Sequence, residues 1–196
     1  MNAIKSNCMR TRKFIVMNSE DGSQWISNGQ AAWIVEGVRI SANNVPGLFN
    51  LSEKQESKCL ILDAQPDDPR YHETGTLTME TVCTDVGEAI YNGWIFRELM
   101  WKDKLLFILK NNLKPTSNGL DDADFNRYEA RVLDGNVKVA VYSGLLCEAI
   151  LDPMPDVIAE KIQEEAVKIA QQELYRLGPC DDGEQAADEI AEQMSI

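Results

Sequence analysis

Up to Pro153-Met154-Pro155 the chain is written in short apolar runs separated by tight-turn dipeptides: Asp21-Gly22, Asn28-Gly29, Asn92-Gly93 and Asp134-Gly135. Beyond that point comes an acidic stretch rich in alanine, glutamate and glutamine, with apolar residues at helical spacing. Such dipeptides accept the positive φ of a two-residue loop, so between alternating apolar runs they mark β-hairpins. The pattern predicts an α+β fold, a mainly antiparallel sheet of meanders and hairpins with a central helix and a C-terminal helical extension. The division it implies is a β-rich body over 1–154, beginning with a flexible leader over 1–13, and an acidic helical extension over 155–196.

Pairing outward from each turn gives a testable register. Around Asp134-Gly135, Leu133 faces Asn136, Val132 faces Val137, Ala130 faces Val139 and Tyr128 faces Val141. One face then gathers Tyr128, Ala130, Val132, Val137, Val139 and Val141, and the other carries Glu129, Arg131 and Lys138. That is the signature of a half-buried antiparallel ribbon. A turn at Ser143-Gly144 leads into a third strand, Leu145 to Leu151. Around Asn92-Gly93, Tyr91 faces Trp94, Ile90 faces Ile95, Ala89 faces Phe96 and Glu88 faces Arg97, so aromatics share one face and opposite charges meet on the other. Near the start, 14–18, 24–27 and 30–35 form a third set, and its turn order echoes the set over 128–151.

Between these sets, Ser52-Glu53-Lys54-Gln55 has capping-box spacing and predicts a short helix ahead of a strand at 59–62. The prolines and acids of 64–71 mark a loop, and 74–83 alternates as a strand. Leu99, Lys102, Leu106, Leu109 and Leu113 fall at helical spacing, so 99–113 is expected to be the central helix, with a hairpin turning at Lys102-Asp103 as the alternative. Residues 115–124 read as a polar connection. In the tail, Pro155 suits a first helical turn, and Ile158, Ile162, Ala166, Ile169, Ala170, Leu174 and Leu177 make one apolar side that Gly178-Pro179 ends. A second short helix follows Asp181-Asp182, with Ala187, Ile190, Ala191 and Met194 on one face.

Bulk properties remove several function classes. No apolar run nears the roughly 18 to 20 residues that cross a bilayer. The basic start is followed only by a short apolar segment, unlike a signal peptide, so a cytoplasmic protein without membrane attachment is expected. Net charge is −13. Residues 155–196 hold 11 acids and 3 bases, a net of −8, while the rest holds 21 acids and 16 bases, a net of −5. Duplex binding needs a concentrated basic surface, so direct nucleic-acid binding is not expected. The five cysteines are widely spaced without a Cys-x-x-Cys pair, which fits small buried hydrophobes better than zinc ligands.

The catalytic inventory is thin. The one histidine, His72, lies in a Pro/Asp-rich loop. Nucleophile-elbow, phosphate-loop, dinucleotide and zincin motifs are all missing, and no cofactor is expected. Asp67-Asp68 and the group Asp121, Asp122 and Asp124 offer hard oxygen donors suited to magnesium or calcium, although aspartates there also serve as helix caps. Tyr91, Trp94 and Phe96 on one sheet face, with Glu160, Glu164, Glu165, Asp181 and Asp182 in the tail, are the candidate partner-binding residues. Tryptophan-bearing patches are frequent interface anchors.

The run Trp25-Ile26-Ser27-Asn28-Gly29-Gln30-Ala31-Ala32-Trp33 resembles uncharacterised accessory proteins of bacteriophages and related mobile elements, over the first third of the chain. That resemblance implies a context, a small bacterial cytosolic protein active during infection, and carries over no activity or functional residue. The leading expectation is a non-catalytic, acidic protein-binding regulator, of the type by which a phage inhibits a host defence or nucleic-acid-processing machine. Its partner would be a protein of host or phage machinery, and the C-terminal helix offers a route to homo-oligomers. Two alternatives stand beside it: a clamp-like scaffold of repeated β-rich units, and a metal-dependent enzyme using Asp121, Asp122 and Asp124.

Overall fold

The computed structural model describes residues 1–19, 22–64, 81–116, 126–133 and 135–177. In chain order the elements are α1 (Asn2–Thr11), β1 (Lys13–Asn18), β2 (Gln24–Ser27), β3 (Ala31–Ile34), α2 (Val45–Leu48), α3 (Glu53–Glu56) and β4 (Leu60–Asp63). Then follow β5 (Val82–Tyr91), β6 (Trp94–Trp101), β7 (Lys104–Leu109), α4 (Lys110–Leu113), β8 (Asn126–Leu133), β9 (Asn136–Ser143), β10 (Leu146–Leu151) and α5 (Asp156–Leu177). The class is α+β as expected. No described helix is long and apolar enough to cross a membrane.

The strands form one 10-stranded sheet in the order β4-β1-β2-β3-β10-β9-β8-β5-β6-β7. Only β4 runs parallel to its neighbour, pairing Phe14 with Ile61. The rest is three antiparallel meanders set edge to edge. β1-β2-β3 and β8-β9-β10 meet through their last strands, with Ala149 opposite Trp33 and Leu151 opposite Ala31. The two meanders thus run in mirrored strand order outward from the β3–β10 seam. The β5-β6-β7 meander attaches to β8 at Val82 and Cys83.

Hairpin registers follow the turn chemistry. Tyr91 pairs with Trp94, Ile90 with Ile95, Ala89 with Phe96 and Glu88 with Arg97. The turn between them has φ of 49° at Asn92 and 75° at Gly93, the left-handed pair of a type I′ loop. On the third meander Leu133 pairs with Asn136, Val132 with Val137, Ala130 with Val139 and Tyr128 with Val141. The short helix at 53–56 carries its capping box, with the Ser52 amide donating to Gln55 Oε1 at 3.0 Å.

The inner sheet face forms a continuous core. Phe14, Val16, Ile26, Trp33, Val139, Val141, Ala149, Leu99, Leu106 and Ile108 belong to one buried cluster, together with Ile4 and Cys8 of α1 and Val45 of α2. For both ends of the sheet to share that cluster, the sheet must curl. The curl is tied by side chains from α1. Asn7 Nδ2 donates to the Asn111 carbonyl at 2.8 Å, and Arg10 Nη2 donates to Asn112 Oδ1 at 2.8 Å. From β3, Trp33 Nε1 donates to the Asn112 carbonyl, also at 2.8 Å.

Two expectations are corrected here. The leader over 1–13 is not flexible: residues 2–11 form α1, with Ile4, Asn7 and Cys8 buried at helical spacing and Arg12 closing it in the left-handed conformation, φ 57°. Its basic residues sit outside an apolar stripe only two side chains wide, which is why the charge concealed the stripe. Residues 99–113 are not a central helix either: they are the end of β6 and the whole of β7, turned at Lys102-Asp103, followed by the four-residue α4. Leu99 and Leu106 pair across the turn and face inward, while Phe107 and Leu109 face outward under α5. A strand buried on both faces is apolar at consecutive positions, so it loses the alternation that separates strand from helix.

Leu99 is fully enclosed in the inner cluster. Leu99→Ala is expected to cost about 2–5 kcal/mol through lost transfer energy and a residual cavity, read as a lowered denaturant midpoint at unchanged slope.

Candidate functional site

The third meander hands directly to the helix that dominates the surface. Pro153-Met154-Pro155 carries the chain from β10 across the β7 edge, where the Met154 amide donates to the Phe107 carbonyl at 2.9 Å. Asp156 Oδ1 lies 2.7 Å from Lys104 Nζ at the start of β7, fixing the first turn of α5. Ile158, Ala159 and Ile162 then pack on Ala89, Phe96, Phe107 and Leu109 of the outer face. Beyond Ile162 the helix is mostly exposed. Over 163–173 no side chain is fully buried, Val167 is 55% exposed and Ile169 46%.

The free half has two distinct sides. Ala166 and Ile169 continue the body-facing stripe, four and seven residues beyond Ile162. Opposite them, and reaching back to Glu160 in the first half, Gln163, Glu164, Val167, Lys168 and Gln171 line a shallow groove along the outer side of the helix. Glu160 and Glu164, one turn apart, make no ion pair among the described residues. Glu165 lies about 100° round the helix from Glu164 and is half-buried, so it is not part of that groove. Asp181 and Asp182 lie outside the described residues.

Tyr91, Trp94 and Phe96 share a face, as their register requires. That face is where α5 sits. Phe96 is buried and Tyr91 half-buried against the helix, leaving Trp94 exposed with the Arg10 guanidinium 5.5 Å from its ring centroid. The signal for this cover was in the sequence: the stripe Ile158, Ala159, Ile162 needs an apolar sheet face, and the aromatic one was available. His72, Asp67, Asp68, Asp121, Asp122 and Asp124, and the strand expected over 74–80, lie outside the described residues. Among the described residues no group of three or more histidine, cysteine or acidic side chains is placed to hold a metal ion.

Charge is concentrated where a solvated face was expected. On the outer side of β8, Glu129 is only 3% exposed, flanked by Arg127 and Arg131. Arg127 Nε lies 2.9 Å from Glu129 Oε1 without hydrogen-bond alignment, and Arg131 Nη2 is 3.7 Å from Oε2. The Arg127 guanidinium stacks 4.6 Å from the Tyr142 ring centroid, and Arg131 donates to the Tyr142 hydroxyl. Lys138 pairs with Asp152 on the same side. The alternation Arg-x-Glu-x-Arg reads as a surface pattern, and nothing in it distinguishes a covered ion cluster from a solvated one. A second ion group joins Arg97 to Asp85 at 3.2 Å and Glu88 at 3.3 Å, with Lys110 2.7 Å from Glu88.

The described cysteines lack the environment of a nucleophile. Burial pushes the Cys8 thiol from its ordinary 9.0 up to about 12, with Cys59 adding to the rise. Cys83 is pushed up to about 11, again chiefly by burial, with the Ala130 backbone hydrogen bond pulling back and Glu129 raising it further. Thiolate, the reactive form, is therefore scarce at neutral pH. Compared with models of known protein families, with curated proteins and with solved structures, the chain matches none.

Two outcomes follow for this side of the molecule. Glu129→Ala strips the counter-charge from two arginines and is expected to destabilise by about 3 kcal/mol, at the low end for a broken buried pair because Arg127 is partly exposed. For Cys8 and Cys83 the folded form resists ionisation, so their contribution is fully present below pH 9.0 and is lost as pH rises toward about 12 and about 11. Denaturant midpoints are expected to fall from pH 8 to pH 10, and Cys8→Ala to flatten that slope; an equally steep slope in the variant would contradict the assignment.

Proposed function

We propose that the chain is a non-catalytic protein-binding factor that engages its partner through α5. In the finer reading it is an inhibitor of phage type, whose acidic helix enters the basic groove of a host-defence or nucleic-acid-processing machine. The observation that carries this is the outer side of α5: two exposed glutamates one turn apart, Glu160 and Glu164, without ion partners among the described residues, beside Val157 at 64% and Val167 at 55% exposure. Exposed apolar side chains supply contact area, and unpaired carboxylates supply direction and partner choice.

Charge distribution supports the same reading. The segment 155–196 holds 11 acids against 3 bases, so it repels a phosphate backbone and is attracted to surfaces built to hold one. Carboxylates placed where phosphates would lie use the partner's own electrostatics for encounter.

The test uses the partner recovered by affinity capture and then purified. Affinity is expected to fall at least about tenfold between roughly 50 mM and 500 mM salt, as exposed charges are screened. The double variant Glu160→Lys, Glu164→Lys is expected to lose affinity comparably with its melting behaviour unchanged. Affinity indifferent to both salt and charge reversal would remove the proposal.

A further inference from the structure

Three sulfur side chains are brought together where α1 hands over to the sheet. α1 is capped at Arg12, whose amide donates to the Cys8 and Met9 carbonyls. The Arg12 carbonyl in turn accepts from the Leu60 amide at 2.9 Å, and the parallel β1–β4 pairing starts there, with Lys13 opposite Leu60. Cys59, one residue before Leu60, is therefore set beside the last turn of α1, the turn that carries Cys8 and Met9. Side chains close the gap: Cys59 Sγ donates to Met9 Sδ at 3.8 Å. Cys8 is fully buried in the inner cluster, and Met9 and Cys59 are half-buried against that same cluster. Cys59 also lies near enough to add to the rise that burial imposes on the Cys8 thiol.

Donor chemistry decides what such a group can hold. Two thiolates and a thioether are soft ligands, which favour monovalent copper, whereas magnesium and calcium take oxygen. Zinc is poorly served, because its ligands are thiolate, imidazole and carboxylate, four of them in a structural site. A thioether as third donor sets this cluster apart from the histidine, cysteine and carboxylate groups that hold harder ions. Two sulfurs on one ion, each about 2.3 Å from it at a tetrahedral angle, stand about 3.8 Å apart. Cys59 and Met9 already have that spacing. Burial raises the Cys59 thiol, and the Arg12 guanidinium pulls it back. Two thiolates around one monovalent cation leave a single negative charge, which the same guanidinium offsets.

We propose that Cys8, Met9 and Cys59 form a site for one monovalent copper ion, Cu(I), held by two thiolates and one thioether. Binding exchanges two protons for one cation. Each cysteine S–H bond breaks with its electron pair left on sulfur, the protons go to solvent, and copper stays in the +1 state throughout. The half-buried Met9 and Cys59 admit the ion from solvent, and Cys8 receives it from the core side. Once bound, the ion links the last turn of α1 to the lead into β4, elements already joined by the Leu60–Arg12 backbone bond. None of the three residues belongs to α5, so the site stands or falls apart from the partner-binding reading.

The test uses the full chain, reduced and kept under argon, with Cu(I) delivered from its bicinchoninate complex. One Cu(I) per chain is expected to pass to the protein, with two protons released into weak buffer. X-ray absorption should show sulfur neighbours at about 2.3 Å from the metal. Met9→Leu, which keeps the volume of the side chain, is expected to weaken binding at least about tenfold, and Cys59→Ser to weaken it further. Circular dichroism matching the parent confirms that each variant is folded. Where Cys8→Ala fails to fold, the variants at Met9 and Cys59 carry the test. Copper that stays with the chelator, folded variants that bind like the parent, or oxygen and nitrogen neighbours around the metal would overturn the site, leaving a thiol packed on a thioether. Zinc bound as tightly as Cu(I) would overturn it equally, because a thioether-containing site should discriminate between them.

Discussion

A sheet of ten strands cannot stay flat, because each strand turns relative to its neighbour and the turn accumulates. Here the resulting curl is closed by polar contacts at one short segment. Asn111 and Asn112, just past the last strand in sheet order, receive hydrogen bonds from Asn7, Arg10 and Trp33. Buried amides and carbonyls tolerate no vacancy, so these bonds fix where the two ends meet, while the apolar side chains between them fix only that they meet. The inner core and the seat of α1 both depend on that closure.

What could be read from residues alone was the chemistry of the turns. Asn92-Gly93 and Asp134-Gly135 each set a register to the residue, and Glu88 meets Arg97 as the pairing demands. Pro155 and the spacing after it placed α5 from its first turn. Less legible were elements whose pattern is set by distant neighbours. Residues 105–109 are apolar on both faces because α5 covers one and the core the other, and such a run has no period of its own. The leader looked frayed because Lys5, Arg10 and Arg12 surround a stripe of two buried residues. Glu129 looked solvated because burial of an ion cluster is a tertiary fact without a local signature.

The candidate site divides along the same line. Glu160 and Glu164 could be singled out because a free helical face is local information. The aromatic face of the β5–β6 hairpin could be named but not assigned, since its fate depends on which helix crosses it. α5 thus removes Phe96 from the surface.

The seam between β3 and β10 bears on how the molecule comes into being. Trp33 waits for Ala149, so the first meander emerges from the ribosome long before its neighbour exists. Until synthesis reaches β10, the β3 edge stays open and Ala31, Ala32 and Trp33 remain uncovered. Contacts of such long sequence separation are slow to form and exposed to mispairing while they wait. Any nascent chain cut off before β10 therefore keeps an open, apolar strand edge, the feature from which edge-to-edge aggregation starts.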